Sequence, residues 1–338
     1  MARGDVQYGA CAPLPIDLAC ANGEGGIVAE QDGHFRLITQ SDFDGLVCAS
    51  LLRNLGLLES VKFVHPREME EGLISVSQRD IVADLPYTDG VHLVFNHDYG
   101  ERLRVGEKQN HIVEPRARSA ARVLYEYYGG PATFPDISEE MLTAVDRGDA
   151  GDFTRQEVLH PQRWVLLNFI LDVRTGLGRF KNFRISNREL MLALIDEINL
   201  RPIEALLRIS DVAERAELYY SHQEPFKRQV AESAALHKNA LVLDLRALES
   251  IYAGNRFVKY ALFPRADISI QVMWGFERRN TVISMGKSIF NRTSPVNVGS
   301  LMRRYGGGGH EAAGTCQVHN DDADRVIDEL LKDVQTPG

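Results

Sequence analysis

Residues 35–58, FRLITQSDFDGLVCASLLRNLGLL, decide the reading of the fold. Phe35–Gln40 reads as a buried strand and Ser41–Gly45 (SDFDG) as a polar turn. Leu46–Leu58 then carries apolar residues at helical spacing, with Gly56 near its end. Working outward, Val61–Val64 (VKFV), Asp80–Ala83 (DIVA) and Val91–Phe95 (VHLVF) are three further short strands. Ala117–Tyr128 is a helix stopped by Gly129-Gly130. Short apolar strands alternating with helices predict an α/β fold built on a parallel, doubly wound sheet.

From Ile137 to about Val230 the pattern is mostly helical, interrupted by Arg174–Asn187 (RTGLGRFKNFRISN), a basic loop with two Phe. A second, smaller α/β unit begins near Asn239, with strands expected at Ala240–Leu245, Ile268–Val272 and Thr281–Ser284 and a last helix at Asp322–Val334. The expected organisation is therefore an extension over 1–33, a first domain over 34–200, a helical linker over 201–234 and a second domain over 235–335. The extension reads as poorly ordered and not as a signal peptide, since Asp5, Pro13, Pro15 and Asp17 interrupt any apolar core.

The chain has 338 residues, enough for two domains, with 44% hydrophobic and 25% charged residues, an ordinary globular composition. A net charge of −9 excludes a bulk electrostatic coat for DNA, though not a local basic groove. No apolar run approaches a membrane span. Four scattered cysteines (Cys11, Cys20, Cys48, Cys316) form no CxxC pair, which argues against a zinc ribbon or disulfide scaffold and suits the cytoplasm.

The acidic residues fall where the expected strands end. In a parallel sheet, the loops at the carboxyl ends converge on one crevice. FRLITQ leads to Asp42 and Asp44, DIVA to Asp84, and VHLVF to His97 and Asp98. Asp146, Asp149 and Asp152 (VDRGDAGD) follow the helix Ser138–Ala144. Singly, each has a plainer explanation: a D-x-D after a strand is usually a turn or a helix cap, and Asp84 or Asp146 could cap a turn. In series they point to a cation, because clustered carboxylates repel one another unless one sits among them. Oxygen ligands with an imidazole suit Mn²⁺ or Mg²⁺. Two such ions roughly 3.5–4 Å apart, joined by a bridging carboxylate, would activate water for phosphoryl hydrolysis.

The order SDFDG, Asp84, FNHDYGE, VDRGDAGD and finally GGGGHEAAG resembles the DHH phosphoesterases with a DHH-associated C-terminal domain. The resemblance runs from about His34 to Val334 and is nearest the bacterial exopolyphosphatase-like and nanoRNase-like (oligoribonuclease-like) subgroup. It implies a parallel-sheet catalytic domain joined by a helical linker to a smaller α/β substrate-binding domain. It also implies a hydrolase using two Mn²⁺, or Mg²⁺, with Asp42, Asp44, Asp84, His97 and Asp149 as ligands and Asp84 bridging; Asp146 is the alternative to Asp149. Asp84, His97 and Asp98 are the implied catalytic groups. Two departures stand out. Ile38 occupies a position where many relatives have His, and Asn96-His97-Asp98 replaces the naming Asp-His-His. Asn96 could accept a hydrogen bond from the His97 ring without supplying charge, while Asp98 stands where the family's second His meets the phosphate.

In the second domain, Tyr305–Gly314 (YGGGGHEAAG) offers glycines whose N–H groups can approach a phosphate. Gly308, Gly309 and His310, with Lys287, Asn291 and Arg292, are the candidate substrate contacts; a flexible turn and a solvated basic face are the plainer alternatives. Gly307–Ala312 matches G-x-G-x-x-A but follows an expected helix, Val298–Arg304, and not a strand, so a dinucleotide fold is a weak reading. Gly286-Lys287-Ser288 lacks the P-loop's first glycine, since Thr281 stands there. Arg174, Arg179, Lys181 and Arg184, interleaved with Phe180 and Phe183, could hold a polyanion or form a rim over core rings.

The function expected from the sequence is metal-dependent hydrolysis of a phosphodiester or a terminal phosphoanhydride. The substrate would be a short oligonucleotide, a cyclic or linear nucleotide, or polyphosphate. A metal- or nucleotide-binding protein with impaired catalysis is the alternative, motivated by Asn96 and Asp98. No membrane partner is expected, and a homodimer is.

Overall fold

The computed structural model describes residues 34–180 and 182–335; the expected extension over 1–33 lies outside the described residues. The first sheet contains β1 (Phe35–Thr39), β2 (Leu58–Phe63), β3 (Asp80–Ala83), β4 (Leu93–Asn96) and β5 (His111–Val113). Its order is β2-β1-β3-β4-β5 and every pairing is parallel. Alternate residues enter separate cores on the two faces. Leu37, Ile81 and Phe95 join the larger core, whereas Ile38, Val82 and Val94 join a smaller one. Strands buried on both sides read as continuous apolar runs, which makes them legible in the sequence.

The order β2-β1-β3 places the topological switch between β1 and β3, the position at which ligands enter sheets of this kind. The chain leaving β1 carries Asp42 and Asp44; the chain leaving β3 carries Asp84.

Several element boundaries differ from expectation, for local reasons. The first helix spans Phe43–Asn54, three residues earlier than its apolar pattern suggests, because Asp42 caps it by accepting a hydrogen bond from Gly45 N at 3.0 Å. The chain then re-enters the sheet at Leu58, which belongs to β2 and not to the helix. β5 has no counterpart among the expected strands: three residues at a sheet edge carry no usable periodicity.

A helix of 24 residues, Ser210–Ser233, leads into the second sheet. That sheet contains β6 (Ala234–His237), β7 (Ala240–Asp244), β8 (Ile268–Trp274), β9 (Thr281–Lys287), β10 (Gly308–Gly309) and β11 (Ala313–Val318), in the order β10-β11-β9-β8-β7-β6. Only β7 and β8 run parallel. β6, β10 and β11 also have no counterpart among the expected strands. β10 is two glycines, and β11 begins with small residues; register of β11 against β9 and of β10 against β11, not intrinsic propensity, makes them strands. The last helix spans Ala323–Gln335. No helix among the described residues is long and apolar enough to cross a membrane.

Candidate metal centre

Four groups meet at the carboxyl edge of the first sheet. Asp44, Asp84, His97 and Asp149 each offer one ligand atom, and these atoms all lie within 4.8 Å of one another. Each is placed by a different element. Asp44 sits in the first turn of the helix Phe43–Asn54, 3% exposed. Its carboxylate accepts the N–H groups of Ala120 at 2.9 Å and Ala121 at 2.7 Å, the opening turn of the helix Ala120–Tyr127. Asp84 leaves β3 with φ of 53°, a left-handed conformation that a carboxylate residue tolerates better than most. Gln40 holds it there, donating through Nε2 to the Asp84 carbonyl at 2.9 Å and to Oδ2 at 2.6 Å. His97 follows β4, and its Nε2 lies 2.8 Å from Asp149 and 3.5 Å from Asp84. Asp149 is the last residue of the helix Glu139–Asp149.

The electrostatics describe unneutralised negative charge. Burial, then Asp84 and Asp149, push the Asp44 carboxyl well above the ordinary range. Burial and Asp149 raise Asp84. Burial and Asp84 push Asp42 up to about 7. Burial disfavours a charged His97, yet its bonds to Asp149 and Asp84 hold it protonated up to about 11. Three carboxylates and one imidazole within reach of one point, with protons retained by repulsion, fit a hard divalent cation. Binding such a cation requires the imidazole neutral and the carboxylates ionised.

The other expected residues are placed as follows. Asp42 lines the same narrow cleft as Asp44 and Asp149 but lies outside the four-group cluster, with Oδ1 engaged by Gly45 N. Asp146 points elsewhere: it accepts from Ser119 Oγ at 2.7 Å and from Arg122 Nε at 3.0 Å. Asp152 pairs with Arg118 at 2.9 Å. Asn96 does not receive the His97 ring, contrary to expectation. Its Oδ1 accepts from Asp98 N at 2.8 Å and its Nδ2 donates to Leu85 O at 3.3 Å, so it fixes the chain and not the imidazole. Asp98 is exposed and outside the cluster; its Oδ1 caps the helix Tyr99–Val105 by accepting from Gly100 N at 2.8 Å.

The second sheet faces this edge. Burial lowers the His310 pKa, opposed by Asp98 and Asp149 across the cleft, which places the ring within their field. Its Nδ1 accepts from Ala312 N at 3.3 Å, which assigns the proton of the neutral ring to Nε2. Lys287 Nζ is paired with Glu311 at 2.9 Å, which leaves donors of the ammonium for a further partner. Gly308 and Gly309 form β10, paired opposite Thr315 and Gly314. Asn291 Nδ2 donates to Arg265 O at 3.2 Å, within its own half. Arg292 Nη2 donates to Ala150 O at 3.3 Å, tying the second half to the residue after Asp149.

The basic loop does not present one face. Arg184 pairs with Asp211 at 2.5 Å, Arg179 donates to Ile251 O at 3.0 Å, and Phe183 lies under the Arg215 guanidinium at 4.2 Å. Lys181 lies outside the described residues. Among the described basic residues of the loop, only Arg174 lines the acidic cleft, with Arg256 beside it. Sequence reasoning missed Gln40, Asp172 and Arg256; none belongs to an acidic or glycine motif, so composition and spacing carried no signal for them.

No family model and no curated protein matches the chain. Among solved structures, the pGpG-specific phosphodiesterase PggH from Vibrio cholerae is 50% identical, with a TM-score of 0.76, over 90% of this chain and 100% of that one. RecJ from Thermus thermophilus, in complex with Mn²⁺, is 16% identical with a TM-score of 0.51, and the match spans 53% of its length. A second exonuclease RecJ, bound to manganese, is 14% identical with a TM-score of 0.51 over 91% of its length. The RecJ likenesses concern the fold. With half of all residues shared with the phosphodiesterase along its whole length, and the acidic cluster at the switch of a parallel sheet, the chain belongs to the DHH family of metal-dependent phosphoesterases.

Proposed function

We propose that the chain hydrolyses the phosphodiester linking two nucleotides of a short, 5′-phosphorylated oligonucleotide of the pGpG type, with Mn²⁺ as its metal. The observation that carries this reading is the four-group cluster, in a chain 50% identical to a pGpG-specific phosphodiesterase. Asp44, Asp84, His97 and Asp149 would hold the metal, with Asp42, on the same cleft, as a further ligand. When bound, the ions supply Lewis acidity toward a phosphoryl oxygen and lower the pKa of water. The protein contributes orientation. Gln40 fixes Asp84, and the backbone of Ala120 and Ala121 fixes Asp44. His310, neutral and protonated at Nε2, can donate to a phosphate oxygen, and Lys287 can use its remaining donors on substrate. In this reading residues 34–200 carry the metals, 201–234 link, and 235–335 grip the substrate. Cys48 and Cys316 are free and buried, which supports a reducing, cytoplasmic setting.

Impaired catalysis is not favoured. Asp98 is spent capping a helix and sits outside the cluster, so its charge does not crowd the ligands. The test is a panel of pGpG, cyclic di-GMP, longer oligoribonucleotides and polyphosphate, with Mn²⁺, Mg²⁺ or EDTA. Mononucleotides released from pGpG with Mn²⁺, and lost both with EDTA and in Asp84→Ala, support the proposal. Wild-type activity in Asp84→Ala, or faster turnover of polyphosphate than of pGpG, overturns it.

A further inference from the structure

Beside the acidic cluster stands a cation that the metal does not need. Asp172 caps the end of the helix Arg163–Leu171. Its Oδ1 accepts both the Arg174 backbone N–H at 2.9 Å and Arg174 Nε at 2.6 Å, and its Oδ2 lies 3.9 Å from Arg256 Nη1. Two guanidinium groups thus share one carboxylate, leaving one positive charge in excess. Arg256 rests over the Phe257 ring at 4.6 Å. The two loops are pinned together by Gly254 N donating to Thr175 O at 3.0 Å.

The orientation of Arg174 is informative. It is anchored through Nε, and among the described residues its Nη groups bond to no protein atom. Half of its side-chain surface (52%) is open, on a cleft that Asp42 and Asp149 also line. It bonds to neither of those carboxylates, and a fixed cation beside a metal site weakens cation binding. A guanidinium held at Nε presents its Nη N–H groups in the fork that matches two phosphoryl oxygens. Asp98, meanwhile, brings no positive charge from its motif.

We propose that Arg174 contacts the phosphate undergoing cleavage, positioned by Asp172, with Arg256 as the neighbouring cation of the same subsite. The inference rests on the phosphodiesterase reading but not on the identity of the nucleosides. Three substrates separate the two: bis(p-nitrophenyl) phosphate, pGpG and GpG, each with saturating Mn²⁺. Arg174→Gln is expected to lower kcat/KM about 10²- to 10³-fold on all three. It should leave Mn²⁺ affinity, by calorimetry, equal or tighter. Arg174→Lys restores about a tenth of wild-type activity, charge without the fork, and Asp172→Asn loses about tenfold. Orthophosphate binding to the Mn²⁺-loaded protein weakens about tenfold in Arg174→Gln. A defect on pGpG that vanishes on GpG would mean that Arg174 reads the terminal phosphate, and overturns the proposal. So does Mn²⁺ affinity falling in step with activity, or unchanged orthophosphate binding. If the wild-type protein cleaves the small diester and not pGpG, the substrate proposal fails, while the Arg174 comparison is still decided on that diester and on orthophosphate.

Discussion

Gly45, the last residue of SDFDG, is where sequence, packing and site meet. A Cβ built on it would stand 2.2 Å from the Gln40 carbonyl oxygen and 2.8 Å from Thr39 Oγ1. The first is a main-chain oxygen and the second the hydroxyl of a short, fully buried β-branched side chain, so the backbone oxygen at least cannot swing aside. Restoring ordinary contact of about 3.4 Å moves the helix start by about 1 Å. Overpacking of this kind costs about 1–3 kcal/mol, and here the upper end applies because a backbone oxygen must give way. The same shift carries Asp44 and Asp42, one and three residues earlier, away from Asp84. Gly45→Ala is therefore expected to lose about 2–3 kcal/mol in urea unfolding and at least about tenfold in Mn²⁺ affinity, since a metal site tolerates ligand distances off by only about 0.2 Å. Gly148→Ala is the control. Its Cβ would meet Asn168 Oδ1 at 2.6 Å, an amide able to rotate, so a smaller loss is expected although Asp149 is its neighbour. A Gly45→Ala protein with wild-type unfolding midpoint and wild-type Mn²⁺ affinity would refute the argument that this glycine sets the approach of the helix to the sheet.

Two further substitutions separate neighbouring carboxylates. Asp149→Asn should weaken Mn²⁺ binding about 10- to 100-fold with little change in stability. Asp146→Asn should leave Mn²⁺ affinity within about twofold but destabilise by about 1–3 kcal/mol, because the amide keeps only one acceptor oxygen, for Ser119 or Arg122, and no longer supplies the negative charge that pairs with Arg122; equal effects on affinity would contradict this division. Lys259 gives a pH signature. Its ammonium, which donates to Gln271 Oε1 at 3.4 Å and lies near the Tyr260 ring, is lowered by burial from 10.5 to about 8. Below about pH 8 both folded and unfolded chains carry the proton, and the folded state bears the full cost of the charge. Between about 8 and 10.5 the unfolded chain binds more protons, so this group's contribution makes stability rise with pH. Lys259→Met should be more stable than wild type at pH 7 by at most about 3 kcal/mol, with the gap closing toward pH 10.5. A gap independent of pH would show that the ammonium is not the cause.

Much of this molecule is legible as text. The central strands of the first sheet, β3, β4 and the end of β1, are apolar because both faces are covered, and in a parallel sheet every strand's carboxyl end faces the same way. Knowing where β1, β3 and β4 stop is therefore enough to bring Asp44, Asp84 and His97 toward one edge. Chain order alone cannot say how far a helix turns. Asp146 and Asp149 lie on one helix, three residues apart, yet one meets Arg122 and the other His97. Nor can it foresee that Asp98 spends itself as a cap, or that Asn96 bonds to backbone.

The amino-acid sequence determined the architecture and the acidic edge, because hydrophobic periodicity and motif order are local properties that a parallel sheet converts directly into position. The tertiary structure alone decided which polar groups engage one another. Arg174 and Arg256 share Asp172 from positions 82 residues apart along the chain, and Arg292 reaches Ala150 across 142. Such contacts depend on helix rotation and on the registry of two sheets, which no stretch of the chain encodes by itself.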